Sequence, residues 1–185
     1  MMKRITLLIL ALIMLMAWPA TFPAHAASKY KACSLLTAAE LEAVVRVRVA
    51  APEDVDVPIT EGPFKGETMS ICSWGMGSTV GAAGYVTLSV MRAPKNAQER
   101  AAGLAMLRET DEQLKKQGWT IKNVALGGVE CATYQPPAGA NAPGGAGCAV
   151  EAKGFAFSLS IVGPTVAVTP QQVKALADKA VARLP

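Results

Sequence analysis

The chain has 185 residues, and the first 26 read as an export signal, which leaves 159 from Ala27 onward, the size of one ordinary domain. Removing Lys3 and Arg4 with that leader lowers the formal net charge from +4 to +2, too balanced for a protein that holds nucleic acid by bulk charge. The single histidine, His25, falls in the leader, so residues 27–185 lack the inventory for Ser-His-Asp or Cys-His catalysis and for histidine metal sites.

Lys3 and Arg4 precede an apolar run over 5–18, and Ala24-His25-Ala26 supplies the small-residue cleavage site, so cleavage is expected after Ala26. A run of about 14 residues is short of the roughly 20 that a helix needs to cross a bilayer. No cysteine follows the run directly, as a lipid anchor would require, and Cys33 lies beyond Ser28-Lys29-Tyr30-Lys31. The expectation is a periplasmic or secreted protein with no stable membrane insertion once the signal is removed.

Thr37-Ala38-Ala39-Glu40 is a capping box, and Leu41, Val44 and Val45 continue it as the apolar stripe of a first helix. The β-branched Val47 and Val49 then favour extended chain. Residues 51–65 set Pro52, Pro58 and Pro63 among Glu53, Asp54, Asp56 and Glu61, which predicts loop with one short edge strand over 55–59. Two antiparallel strands follow over 67–75 and 84–92, joined by a glycine-rich turn over 77–83. In the second, Tyr85, Thr87, Ser89 and Met91 alternate with Val86, Leu88 and Val90.

Asn96 caps a long helix that runs to about Gln117, with Gly118 as its stop and Leu104, Leu107 and Leu114 on its inward stripe. Strands are predicted again over 119–125, 129–134, 148–153 and 155–162. Residues 135–147 are so rich in Pro, Gly and Ala that they read as a mobile, exposed hairpin loop. Thr169-Pro170 opens the last helix, with Val173, Leu176, Ala177, Ala180, Val181 and Leu184 as its stripe. The order helix, strands, helix, strands, helix predicts a single α+β domain over 27–185, an antiparallel sheet covered by helices on one face.

Cys33, Cys72, Cys131 and Cys148 are an even set in a chain bound for an oxidising compartment, so two disulfides are expected. Three pairings are open on sequence grounds, and Cys33 with Cys72 and Cys131 with Cys148 is the one favoured here. The second would close residues 132–147 and contribute about 3 kcal/mol in the chain-entropy model. A four-thiolate zinc site is disfavoured, since no Cys-x2-Cys pair occurs.

Met69, Cys72 and Met76 suggest a soft-ligand copper(I) site, with Trp74 as its roof, but pairing of Cys72 removes the thiolate that such a site needs. The acids Glu53, Asp54, Asp56 and Glu61 have neither the spacing nor the continuity of a calcium loop and read as a solvated segment. Glu130 and Glu151 flank the hairpin cysteines and form a candidate carboxylate pair for hydrolysis, with nothing else to build a sugar site. Gly75, Gly77, Gly81 and Gly84 lack the Gly-Lys-Ser of a phosphate loop.

Cys33-Ser34-Leu35-Leu36-Thr37 before a helix capped at Glu40, Cys72-Ser73-Trp74 on a strand, and a terminal helix with Leu176-Ala177 and Leu184 form a combined signature. It resembles the small exported bacterial envelope domains of unknown function, secreted or lipid-anchored, that are similar to the extracellular sensor domains of receptor Ser/Thr kinases. The resemblance spans most of residues 27–185. It implies a cystine between the start of the first helix and the Cys72 strand, and a ligand-binding or sensing role without catalytic residues. The chain departs from the family in having no lipobox cysteine, kinase segment or transmembrane segment. The reading is therefore a non-enzymatic exported envelope protein that binds a small molecule or a protein partner, with no cofactor. Copper handling through Met69, Cys72 and Met76 is the alternative, and hydrolysis through Glu130 or Glu151 a third.

Overall fold

The computed structural model describes residues 30–77, 84–140, 142–163 and 168–185. The expected signal peptide over 1–26 and most of the expected turn over 77–83 lie outside the described residues, as do the side chains of Leu104 and Leu107.

Among the described residues three helices and seven strands are formed: α1 Ala38–Val45, β1 Glu53–Pro58, β2 Thr68–Met76, β3 Gly84–Arg92, α2 Ala97–Lys116, β4 Thr120–Leu126, β5 Val129–Gln135, β6 Gly145–Ala152, β7 Phe155–Val162 and α3 Pro170–Ala182. The strands make one sheet in the order β1-β2-β3-β7-β6-β5-β4, antiparallel throughout. Two meanders thus meet at the centre, where β3 pairs with β7, and α2 carries the chain from the middle of the sheet to its far edge.

Local chemistry sets the boundaries. At α1 the Glu40 N–H donates to Thr37 Oγ1 at 3.3 Å while Thr37 N–H donates to Glu40 Oε2 at 3.0 Å, the reciprocal pair that the sequence predicts. Arg46 ends the helix in the left-handed region at φ 61. Asn96 Oδ1 accepts from Glu99 N–H at 2.8 Å at the start of α2. Thr169 and Gln172 form a second full capping box, with Pro170 at the first position of α3. Gly127 and Gly128, at φ 58 and 82, supply the paired positive φ of a two-residue hairpin between β4 and β5.

One face of the sheet is the core. Alternation turns Cys72, Trp74 and Met76 of β2, Val86, Leu88 and Val90 of β3, and Phe155, Phe157, Leu159 and Ile161 of β7 the same way, and all are buried. Leu41 and Val45 of α1 and Val173, Leu176, Ala177 and Ala180 of α3 close over them. Each such aliphatic side chain contributes about 1.5 to 3 kcal/mol on removal from water. Helices α1 and α3 therefore cover one face, as the predicted fold class requires.

Both expected disulfides are formed. Cys33–Cys72 pins the 3-10 turn Ala32–Ser34 to β2, and Ala32 N–H donates to the buried Ser70 Oγ at 3.0 Å beside it. Cys131 and Cys148 face one another in the β5–β6 ladder with Cα atoms 4.0 Å apart.

The main departures from the expected boundaries are at β1, β5 and β6. The glycine-rich segment over 135–147 is not loop throughout: Gln135 ends β5, and Gly145, Ala146 and Gly147 begin β6, with Ala146 only 1% exposed. A Cβ on Gly145 would collide with the carbonyl oxygen of Ile161, so the missing side chain is what lets β6 lie against β7 there. The true connection is 136–144, and its end is fixed by Gly163 N–H donating to Gly144 O at 3.0 Å. Strand β1 begins at Glu53 rather than 55, because Lys31 neutralises Asp54 and Asp56 at 3.4 and 2.9 Å and lets an acidic segment pair with β2. In α2, Leu114 is half-buried on the expected stripe.

Candidate functional site

The sheet face opposite the core carries a different population of side chains. The alternation that buries Val86, Leu88 and Val90 turns Tyr85, Thr87, Ser89 and Met91 of β3 the other way, together with Ala156, Ser158, Ser160 and Val162 of β7. Cross-strand pairing assembles these into rows. One row is Ser73, Thr87, Ser160, Gly147 and Ala132, and the next is Ile71, Ser89, Ser158, Ala149 and Glu130. A third runs through Gly75, Tyr85, Val162, Gly145 and Tyr134. The centre of the face is thus a grid of hydroxyls and small residues, with Tyr85 and Tyr134 at one end and Met91 at the other.

Helix α2 stands on this side. Its Arg100 Nη1 donates to Glu151 Oε1 at 2.9 Å, and alternation puts Glu151 opposite the core-facing Cys148 and Val150 of β6. Gly103 meets the Phe64 ring of the Gly62–Phe64 turn, and a Cβ there would lie 2.8 Å from Phe64 Cζ. The backbone of α2 comes closest to that turn and to β4. In the hydroxyl rows Ser73, Thr87, Ser89 and Ser160 are half-buried, Ser158 is exposed, and Tyr85 is 47% exposed.

The face has a definite chemistry. Ser89 and Ser158 hydroxyls hydrogen-bond at 2.7 Å, and each hydroxyl retains further capacity to donate or accept. Burial pushes the Tyr134 hydroxyl above its ordinary pKa, and the Asp111 carboxylate of α2 acts in the same direction, so Tyr134 presents a neutral phenol. From β2 to β5 the three rows contain no cation and one carboxylate, Glu130, and β1 adds Glu53 opposite Ser73. Such a surface suits neutral hydrogen-bonding groups and gives little hold to an anion.

The residues singled out from the sequence fall in different places. Cys72 is spent in the bond to Cys33, Met76 is buried on the core face, and Met69 lies in alternation on the opposite face, so the three copper-ligand candidates do not converge. Glu130 and Glu151 do share the open face, but Glu151 is held by Arg100, and Glu130 stands in the next row across from Ala149. Glu53, Asp54 and Asp56 lie in β1, the two aspartates paired with Lys31, and Glu61 precedes the Gly62–Phe64 turn. No group of three His, Cys, Asp or Glu side chains suited to a metal ion occurs among the described residues. Gly75 and Gly84 lie in strands, Gly77 takes φ +83, and Gly81 is outside the described residues.

Sequence reading picked out the alternation of Thr87 and Ser89 but not the grid. The grid exists because β3 pairs with β7, a contact about 70 residues apart in the chain that no local pattern announces. No family model, curated sequence or solved structure matches the chain.

Proposed function

We propose that the protein is a non-catalytic, exported binding domain of the cell envelope, and that it holds a neutral, hydrogen-bonding small molecule on the open sheet face beside α2. The observation that carries this reading is the register of Ser73, Thr87 and Ser160 beside Ser89 and Ser158, which gathers five hydroxyls on the face where α2 stands. A few convergent polar groups are what fixes the orientation of a small ligand in its site. Binding rather than hydrolysis is favoured because Ser89 and Ser158 bond one another, and the carboxylate diagonal to Ser158 on β6, Glu151, is engaged by Arg100. Export is supported by the leader pattern and by two disulfides, and among the described residues no helix is long and apolar enough to cross a membrane.

Amide chemical shifts followed by NMR during titration with a set of neutral sugars and amino acids test the reading. Shifts centred on Ser73, Thr87, Ser158 and Ser160, abolished by Ser158→Tyr in a folded protein, are the expected result. Shifts confined to the α1 and α3 side, or none with any probe, overturn it in favour of a protein partner.

A further inference from the structure

We infer that the outer edge of β4 is an interaction surface, and that its occupant is the same strand of a second copy, paired antiparallel about a two-fold axis through Asn123. This edge is distinct from the sheet face assigned above to a small molecule. The sheet ends in β1 on one side and β4 on the other, and an open edge is a row of backbone donors and acceptors that a further strand can pair with.

The two edges are built differently. Ile59 N–H donates to Glu67 O at 2.9 Å just beyond β1, so by alternation Val57, Val55 and Glu53 turn their backbone groups to β2. Asp54, Asp56 and Pro58 then turn theirs outward. Pro58 has no N–H to offer, and a two-fold pairing centred on Asp56 would set two aspartates directly opposite.

Strand β4 has neither defence. Its two-residue hairpin makes Leu126 and Val129 a hydrogen-bonded pair, and two residues on Val124 bonds to Cys131. The 4.0 Å between the Cα atoms of Cys131 and Cys148 agrees, since so close an approach marks a pair that does not exchange backbone bonds, leaving those of Cys131 to β4. Alternation therefore points the N–H and C=O groups of Ile121, Asn123 and Ala125 outward. Among the described residues, 120–126 make no backbone hydrogen bond outside the β4–β5 ladder. The side chains of Lys122, Asn123, Val124 and Ala125 are exposed, two on each face of the sheet, which leaves the middle of the edge open from both sides.

This edge is complementary to itself. With Asn123 opposite the partner's Asn123, Ile121 falls opposite the partner's Ala125, and every outward donor meets an outward acceptor. Lys122, the one charge on the strand, falls opposite the partner's Val124, where its stem covers the valine and its ammonium reaches water. The two lysines stand diagonally, roughly 7 to 8 Å apart, rather than opposed. Pairing over one short strand falls short of the roughly 1,200 Å² of a standard interface, so the dimer is concentration-dependent.

Sedimentation velocity on the oxidised chain from Ala27 to Pro185, at about 10 μM to 1 mM, tests the surface, and the mean mass is expected to rise toward that of two chains. Val124→Glu, which sets a carboxylate opposite the partner's Lys122, is expected to associate at least about tenfold more tightly at low salt than Val124→Lys, because symmetry repeats each charge pair. Asn123→Pro, whose lost N–H faces outward and so spares the β5 ladder, is expected to weaken association by about tenfold or more, and Val55→Lys on the other edge strand to leave it unchanged. Equal association of the two Val124 variants, association indifferent to a folded Asn123→Pro, or a single-chain mass at every concentration overturns the assignment. Loss of association in Val55→Lys moves the contact to β1 and overturns it as well. If Asn123→Pro fails to fold, the two Val124 variants decide alone, because Val124 is 37% exposed in the single chain and tolerates either charge.

Discussion

Glu40 serves two helices at once. Its carboxylate completes the α1 capping box and also receives Arg183 Nη1 and Nη2 at 2.8 and 2.9 Å, tying the first helix to the last. The Arg183 guanidinium, and then the Thr37 N–H, pull its pKa from 4.5 down to about 2. A carboxylate whose folded pKa is depressed adds stability that is present above its unfolded pKa and lost as pH falls through the folded one. Unfolding midpoints should therefore drop between pH 4.5 and 2. Glu40→Gln should remove that part of the slope and cost about 1 kcal/mol at neutral pH, because Arg183 is partly solvated and the ion pair screened. A variant that keeps the full wild-type slope in urea titrations would assign the acid sensitivity elsewhere. Gly145 and Gly147 make a second test, since they stand two apart on one strand yet differ in what a methyl group would meet. Alanine at Gly145 runs into the Ile161 carbonyl and should cost about 1 to 3 kcal/mol, as overpacking does. At Gly147 the nearest atom is Leu159 O at 3.4 Å, so alanine should change the midpoint much less. Equal losses at the two positions would mean that the strand shifts to absorb either one.

At the scale of elements, what local chemistry announces was legible in the sequence and what distant pairing decides was not. Thr37 with Glu40, Asn96 before α2, and Thr169-Pro170 before α3 mark helix starts with groups a few residues apart, and all three stand where the sequence puts them. The order of strands was not legible, and with it the grid of the candidate site stayed hidden, because β3 and β7 are brought together only after α2 and three strands have intervened. Gly145 to Gly147 misled for a related reason: their composition marks a loop, and only the close approach of β7 makes glycine suitable in a strand. The two cystines differ in the same sense. Cys131–Cys148 joins strands that already pair, across 17 residues, whereas Cys33–Cys72 joins a turn to β2 across 39. The chain-entropy term alone favours the longer link by about 0.7 kcal/mol, and the ladder already restrains the shorter one. Replacing Cys33 and Cys72 together with alanine should lower stability in urea more than replacing Cys131 and Cys148. Equal or reversed losses would show that the β5–β6 ladder depends on its cystine.

For the molecule as a whole, the two cystines bear on the oxidising compartment proposed for the protein. They lie on either side of the central β3–β7 pair, one on β2 and one across β5 and β6, so together they brace both meanders. The chain-entropy model gives about 4 kcal/mol for the longer link and about 3 for the shorter. A domain of this size is usually stable by only about 5 to 15 kcal/mol in total, so losing both consumes a large share of the margin. The core formed by Trp74, Leu88, Leu159 and Leu176 survives reduction in composition, but with little excess of stability to hold it. The protein made without residues 1–26 in a reducing cytoplasm should therefore be degraded rapidly by added protease, and should become resistant after oxidation outside the cell. Protein exported with its leader should begin at Ala27 and react with thiol reagents in denaturant only after reduction. If the reduced chain unfolds at the same urea concentration as the oxidised one, the core alone sustains the fold, and the cystines cease to be an argument for an oxidising destination.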